Sequence, residues 1–380
     1  MDNTKIPGIF EQHATRAAFF IAGFGMAAWA PLIPYAKMRL GLDEHTLGFL
    51  LLCFGLGSIF AMPISGLLAA RFGCRIILSI ASFLVCLTLP FLTIIHTFWV
   101  MATALFVFGG AVGVIDVVIN IQAIIVEKAS GRTLMSGFHG FFSVGGLVGS
   151  GGVGALLSIG FSPLLATVCV IAVIVLLLFL FYSSFLPYGS EEEAPLFVTP
   201  KGIVLFIGLL CFITFLVEAA MLDWSAVFLT EVRHVSPEYA GFGYTAFSLT
   251  MAFGRLTGDR IVRKIGSAKI LIMGGGCVIF GLLLTVYSSF PVITFSGFAM
   301  IGLGASNIVP VFYSAAGNQK TMPVHLAVVA ISCLGYAGIL VGPALIGFVA
   351  GTFSLPAAFV FLAVMMFTIP LSYRVANTGK

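Results

Sequence analysis

Charge is what this sequence has least of. Among 380 residues only 14 are acidic and 18 basic, together 8% of the chain, where soluble domains carry about 25%. No water-soluble particle of this size keeps its surface solvated with so few charged side chains. The two or three soluble domains that the length alone would suggest are therefore excluded. Cysteine is sparse too: residues 53, 74, 86, 169, 211, 277 and 333 stand singly, without paired spacing, so neither a disulfide framework nor a metal cluster is expected. The net charge is only +4 and no basic run marks a nucleic-acid partner. The sequence holds no Gly-Lys-Ser/Thr phosphate loop, no His-Glu-x-x-His zinc site and no Gly-x-Ser-x-Gly nucleophile turn. It is expected to need no cofactor and not to be an enzyme.

What fills the chain is apolar. Hydrophobic residues make up 60% and the mean hydropathy is +1.16, which indicates an all-α integral membrane protein. A spanning helix needs roughly 20 mostly apolar residues. Such runs fall near 16–38, 46–69, 76–95, 98–126, 133–157 and 163–186, then 203–229, 238–258, 270–289, 292–315, 324–351 and 355–374. These twelve spans are called helices 1 to 12. Connections are short except from Pro187 to Lys201, where Glu191, Glu192 and Glu193 stand between prolines. That stretch reads as a linker, giving an N-terminal six-helix bundle 1–187, a cytoplasmic linker 188–202 and a C-terminal bundle 203–380. With the N-terminus inside, 15 lysines and arginines fall on the cytoplasmic side and three (Lys37, Arg39 and Arg233) outside. The positive-inside rule thus puts both termini in the cytoplasm.

The halves repeat each other. Arg71-Phe72-Gly73 with Leu78 recurs as Lys264-Ile265-Gly266 with Leu271, 193 residues later. Gly145, Gly149 and Gly154 recur at that offset as Gly338, Gly342 and Gly347, and Gly109 as Gly302. One shared offset across separate segments indicates an internal duplication in parallel orientation.

This pattern resembles the major facilitator superfamily. The turn Gly66-Leu67-Leu68-Ala69-Ala70-Arg71-Phe72-Gly73-Cys74-Arg75 is similar to that family's signature cytoplasmic loop, with Ala70 where the family usually has aspartate. The second copy keeps an acid, Gly258-Asp259-Arg260, ahead of Lys264 and Gly266. The resemblance implies that these residues take part in the conformational cycle. In helix 5, Ser150 stands where antiporters of the family place a proline, so the glycines around it read as close helix packing. Phe138-His139-Gly140, Glu218 through Asp223-Trp224, and Gly335-Tyr336 with Gly342-Pro343 resemble a little-characterised bacterial branch neighbouring the fucose:proton symporters. Those symporters carry acids in helices 1 and 4; here helix 4 has Asp116 and helix 1 has none.

A charged side chain at bilayer depth costs about 2.5–3.5 kcal/mol on insertion scales, so each one needs a reason. Three acids lie deep. Glu218 is near the middle of helix 7, Asp116 about 6 Å inside the centre of helix 4, and Asp223 about 10 Å outside that of helix 7. The resemblance implies that helices 1, 4, 7 and 10 line the transport cavity. Burial disfavours the charged form of a carboxyl group, so such acids can carry protons between two faces; gluing helices together is the alternative. Glu218, Asp116, Asp223 and the nearby His139 are the candidate proton-coupling residues. No deep lysine or arginine is expected, and Arg255, near the inner end of span 8, is expected to snorkel to solvent or pair with loop acids. Anionic substrates are disfavoured on that ground. Asn120 shares a face of helix 4 with Asp116, while Gln122 points away from it. Asn120, Asn307, Trp29 and Tyr336 supply amides and aromatic faces suited to a polyhydroxy solute, or to ordinary interhelical packing.

The expectation is a proton-coupled secondary transporter for a small neutral polar solute, sugar or polyol, working by alternating access as a monomer in the bacterial inner membrane. Proton-antiport efflux of amphipathic or cationic compounds is the rival, and an intramembrane hydrolase using Asp116 and Glu218 a distant third.

Overall fold

A computed structural model describes residues 7–131, 134–189, 199–322 and 324–377. Among them every regular element is helical, and twelve passes follow one another. Helix 1 runs Ile9–Ala27, turns through a 3₁₀ segment at Ala30–Leu32 and resumes as Ile33–Leu40. Pro31 and Pro34 explain the break, because each removes a backbone donor and crowds the preceding turn. Helices 2 and 3 form one continuous stretch, Glu44–Ile94, that reverses at Gly73. Then come Phe98–Ser130, Met135–Ser158 and Pro163–Phe181. The second set is Ile203–Glu231, Phe242–Ile265, Ser267–Tyr287, Pro291–Ala305 with Ile308–Asn318, Val324–Thr352, and Leu355–Met366 with Thr368–Leu371. Helix 10 breaks at Ser306–Asn307, where Pro310 would clash with the Ser306 carbonyl one turn earlier.

Ten of these helices are long and apolar enough to cross a membrane. Of the other two, 242–265 is rich in charge, with Arg255, Asp259, Arg260, Arg263 and Lys264; the helix at Leu355–Leu371 is shorter. Helix 8 differs most from expectation. Its apolar run stops at 258, yet the helix continues to Ile265, since basic side chains at its C-terminal end can reach out to solvent.

Two compact units emerge: Met1–Leu40 with Cys53–Ala194, and Gly41–Leu52 with Pro195–Lys380. Glu191, Glu192 and Glu193 of the expected linker lie outside the described residues.

Within each unit the repeat is visible atom by atom. Gly73 has φ 81° and ψ 155°, and Gly266 has φ 87° and ψ 149°. Gly109 lies against the Phe54 carbonyl, and 193 residues on Gly302 lies against that of Phe247. A Cβ at either position would collide with that carbonyl, so helix 2 crosses helix 4, and helix 8 crosses helix 10, backbone to backbone. Helices 6 and 12 both start on a serine cap: Ser162 accepts from the Leu165 amide and Ser354 from that of Ala357, each at 3.2 Å. Lipid tails are as apolar as leucine, so close packing of small residues holds such bundles together more than apolar burial does. Large apolar side chains such as Phe60, Phe83 and Phe179 are accordingly left exposed.

Candidate functional site

In the second unit, helix 7 carries Glu218 fifteen residues from its start and helix 8 carries Arg255 thirteen from its own. Each is therefore about 20 Å along its helix. One guanidinium nitrogen of Arg255 donates to both Glu218 carboxylate oxygens, at 3.1 and 3.3 Å. The side chains are 34% and 17% exposed respectively, so the pair is neither sealed nor freely solvated. This corrects the expectation that no cation lies deep and that Arg255 snorkels or pairs with loop acids. The error came from ending helix 8 at residue 258; with its true end at Ile265, Arg255 moves to mid-helix. The repeat held the missing signal, because Lys264-Gly266 matches Arg71-Gly73 and marks where helix 8 ends.

Tyr244 of helix 8 was not anticipated either. It is half-buried beside Ser248, within electrostatic range of Glu218, Arg255 and Asp223, and stacks on Phe247 with ring centroids 5.7 Å apart. Asp223 is 9% exposed, and among the described residues no hydrogen bond or ion pair reaches its carboxyl group. The adjacent Trp224 Nε1 and Ser225 Oγ are also buried without a hydrogen-bond partner. Two consecutive buried unsatisfied groups next to an unpaired carboxyl group require an explanation beyond packing. Tyr336 of helix 11 is 39% exposed and stacks on Phe215 of helix 7, centroids 6.3 Å apart. Asn307 is bound tightly: its amide nitrogen donates to the Gly254 carbonyl and the Ser306 hydroxyl, both at 3.0 Å, and Gly258 lies against its amide oxygen.

In the first unit, Asp116 and Asn120 share a face of helix 4 and both are half-buried. The Asn120 amide donates to the Asp116 backbone carbonyl at 2.8 Å. Trp29 is buried at the break of helix 1, with Nε1 unpartnered. His139 is exposed and meets Phe19 edge-on at 5.0 Å. Gln122 is turned elsewhere, donating to Thr15 Oγ1 at 3.1 Å and accepting from the Leu186 amide at 3.2 Å.

The turn from Gly66 to Arg75 is tied to the end of helix 6. Arg75 donates to the carbonyls of Ser183 and Phe185, at 2.6 and 3.0 Å. Its repeat between Gly258 and Gly266 has an open surroundings at Gly266, with Lys264 exposed. The Asp259 side chain lies outside the described residues.

Known proteins match this architecture. A profile described as Major Facilitator Superfamily matches residues 17–332, more than half of the chain. The chain belongs to the major facilitator superfamily. It is a multi-pass membrane transporter of that type. Its sequence is 52% identical to an uncharacterized MFS-type transporter of Yersinia pestis, over 97% of this chain and 96% of that one. It is 30% identical to an uncharacterized transporter of Sinorhizobium fredii, over 88% and 89% of the two chains. It is also 29% identical to membrane protein MosC of Rhizobium meliloti, over 90% and 84%. Among solved structures, a mutant of the nucleoside transporter NupG superposes with a TM-score of 0.75, covering 96% of this chain and 99% of that one at 14% identity. Such a distant likeness bears on the major facilitator fold alone.

Proposed function

We propose that this major facilitator protein is a proton-coupled secondary transporter that moves a small polar, sugar- or polyol-like solute by alternating access. The Glu218–Arg255 pair is the observation that carries the reading. A proton arriving on a Glu218 carboxyl oxygen cancels the charge that holds Arg255. The guanidinium then has donors to offer to a solute oxygen. Losing the proton restores the pair and withdraws those donors. Proton and solute occupancy are thereby linked through one side chain, as coupling requires.

Asp116 and Asp223 are further proton positions in this scheme, and His139 of helix 5 is a further titratable group for the relay. Trp29, Asn120 and Tyr336 offer an aromatic face and amide groups to hydroxyls. Asn307 has its amide donors engaged in the joint of helix 10, so solute contact there falls to the amide oxygen. The proposal keeps both termini cytoplasmic, a bacterial inner membrane and a monomer, with 188–202 joining the two bundles. Arg255 also removes the objection to a solute bearing one carboxylate, and it counters a purely anionic pocket for amphipathic cations.

The test is transport by the purified protein in liposomes under an imposed pH gradient, across sugars, polyols, nucleosides, monocarboxylates and amines. Solute uptake with protons moving the same way is the expected result. Proton movement opposite to an amine would replace this reading with efflux.

A further inference from the structure

Helices 2, 3 and 4 of the first unit enclose a groove of about 710 Å³ that has no part in the scheme above. Every residue lining it is apolar, among them Leu68, Phe72, Ile80, Leu84, Phe106 and Val114. Along helix 3 it extends from Ile76 to Leu84, about 12 Å by helical rise, within the ~15 Å depth of one leaflet. Phe60, Phe72, Ile80 and Phe106, which line it, are exposed on the apolar flank of the unit. The groove therefore opens toward lipid, and its wall is almost wholly apolar.

Its one charged end is at the turn. Arg71 is exposed, and its guanidinium lies 5.2 Å from the centroid of the Phe72 ring, at the lip of the groove. Among the described residues no hydrogen bond or ion pair reaches Arg71, whereas Arg75 has its donors on the carbonyls of Ser183 and Phe185. The stretch Gly66 to Arg75 contains no acid. An apolar groove within one leaflet, with an exposed guanidinium at its headgroup end, matches one kind of bilayer molecule.

We infer that this groove is a binding site for an anionic phospholipid of the leaflet on the side of the 66–75 turn. One acyl chain lies between helices 2, 3 and 4, and the phosphate accepts from Arg71. A guanidinium and a phosphate make short, charge-assisted hydrogen bonds, and basic sites between membrane helices recognise anionic headgroups in this way. The choline of a zwitterionic headgroup would bring a second positive charge beside Arg71, so the site discriminates by charge.

Native mass spectrometry of the full chain in mild detergent, titrated with phosphatidylglycerol or phosphatidylcholine, tests this. The unaltered protein should retain phosphatidylglycerol more tightly. Arg71→Ala should weaken phosphatidylglycerol roughly fivefold, the worth of one arginine at an anionic surface, and leave phosphatidylcholine unchanged. Arg71→Lys should keep most of the preference. Val107→Trp, at the rim of the groove, should weaken both lipids; Ala61→Phe, at its floor, gives a second reading should the first variant fold poorly. Arg374→Ala is the control, since Arg374 also stands over an aromatic ring, Tyr373 at 5.9 Å. Equal binding of the two lipids, no effect of Arg71→Ala, or an equal effect of Arg374→Ala would overturn the assignment.

Discussion

Gly73 and Gly266 stand 193 residues apart and hold nearly the same backbone conformation, φ/ψ of 81°/155° and 87°/149°. This region is open almost only to glycine, and other residues pay of order 1–3 kcal/mol to enter it. The two differ in surroundings. Gly73 presses on the Pro187 carbonyl, while nothing lies within 4 Å of a Cβ at Gly266. Gly266→Ala should therefore carry the backbone cost alone. Gly73→Ala should carry that cost and also push the helix 6 terminus away. Thermal unfolding in detergent should rank Gly73→Ala as clearly less stable than Gly266→Ala; equal midpoints would mean that the Pro187 contact is unimportant.

The Glu218–Arg255 pair predicts strong non-additivity. Removing one partner of a buried ion pair costs about 3–5 kcal/mol because the other charge is left uncompensated, and partial exposure here brings that down to roughly 1–3. Glu218→Gln and Arg255→Gln should each destabilise the protein, and the double variant should be no worse than either alone. In liposomes, Glu218→Gln should abolish pH-driven accumulation while preserving solute exchange at equal concentrations. Accumulation that survives the substitution places the coupling proton elsewhere.

How far the sequence discloses this molecule depends on which kind of signal a feature leaves. Twelve passes follow from apolar runs, and the duplication from repeated glycines, because the bilayer and backbone contact each tolerate few residue types. The acids at 116, 218 and 223 stand out since charge is rare in such a chain. Partners do not stand out. Arg255 reads as an inner-end arginine until the true length of helix 8 is known, and nothing local in the sequence joins it to a residue 37 positions earlier. The interruption of helix 10 at Asn307 is equally hidden, because Pro310 alone does not say whether a helix kinks or stops.

Arg39 and Arg233 occupy matching places in the two units, at the ends of helices 3 and 9. Arg39 donates to the carbonyls of Leu92 and Ile95 at 2.6 and 2.8 Å, and Arg233 to those of Thr285 and Val286 at 2.6 and 2.7 Å. Leu92 and Thr285 are 193 residues apart, so each unit uses one arginine to satisfy the orphaned carbonyls that end its third helix. Hydrogen bonds to a charged group contribute about 1.5–3 kcal/mol. Arg39→Ala and Arg233→Ala should each lower the unfolding midpoint by a similar amount. Lysine should rescue neither, because a point charge cannot reproduce donors on separate guanidinium nitrogens: Arg39 uses Nε and Nη2, and Arg233 uses Nε on Thr294 besides Nη2 on the two carbonyls.

Asp223 gives the sharpest separation of function from framework. The residue is 9% exposed and its carboxyl group has no hydrogen-bond or ion-pair partner among the described residues, so Asp223→Asn removes no structural bond and keeps the shape of the side chain. The substitution should leave the stability within the roughly ±0.5 kcal/mol typical of changes that break nothing. If Asp223 carries a proton during transport, the same variant should lose the pH dependence of uptake, because an amide cannot titrate. A large loss of stability with normal pH dependence would instead make Asp223 a framework residue. Measuring both quantities on one preparation decides between the two roles without knowing the solute beforehand, provided one panel compound is transported.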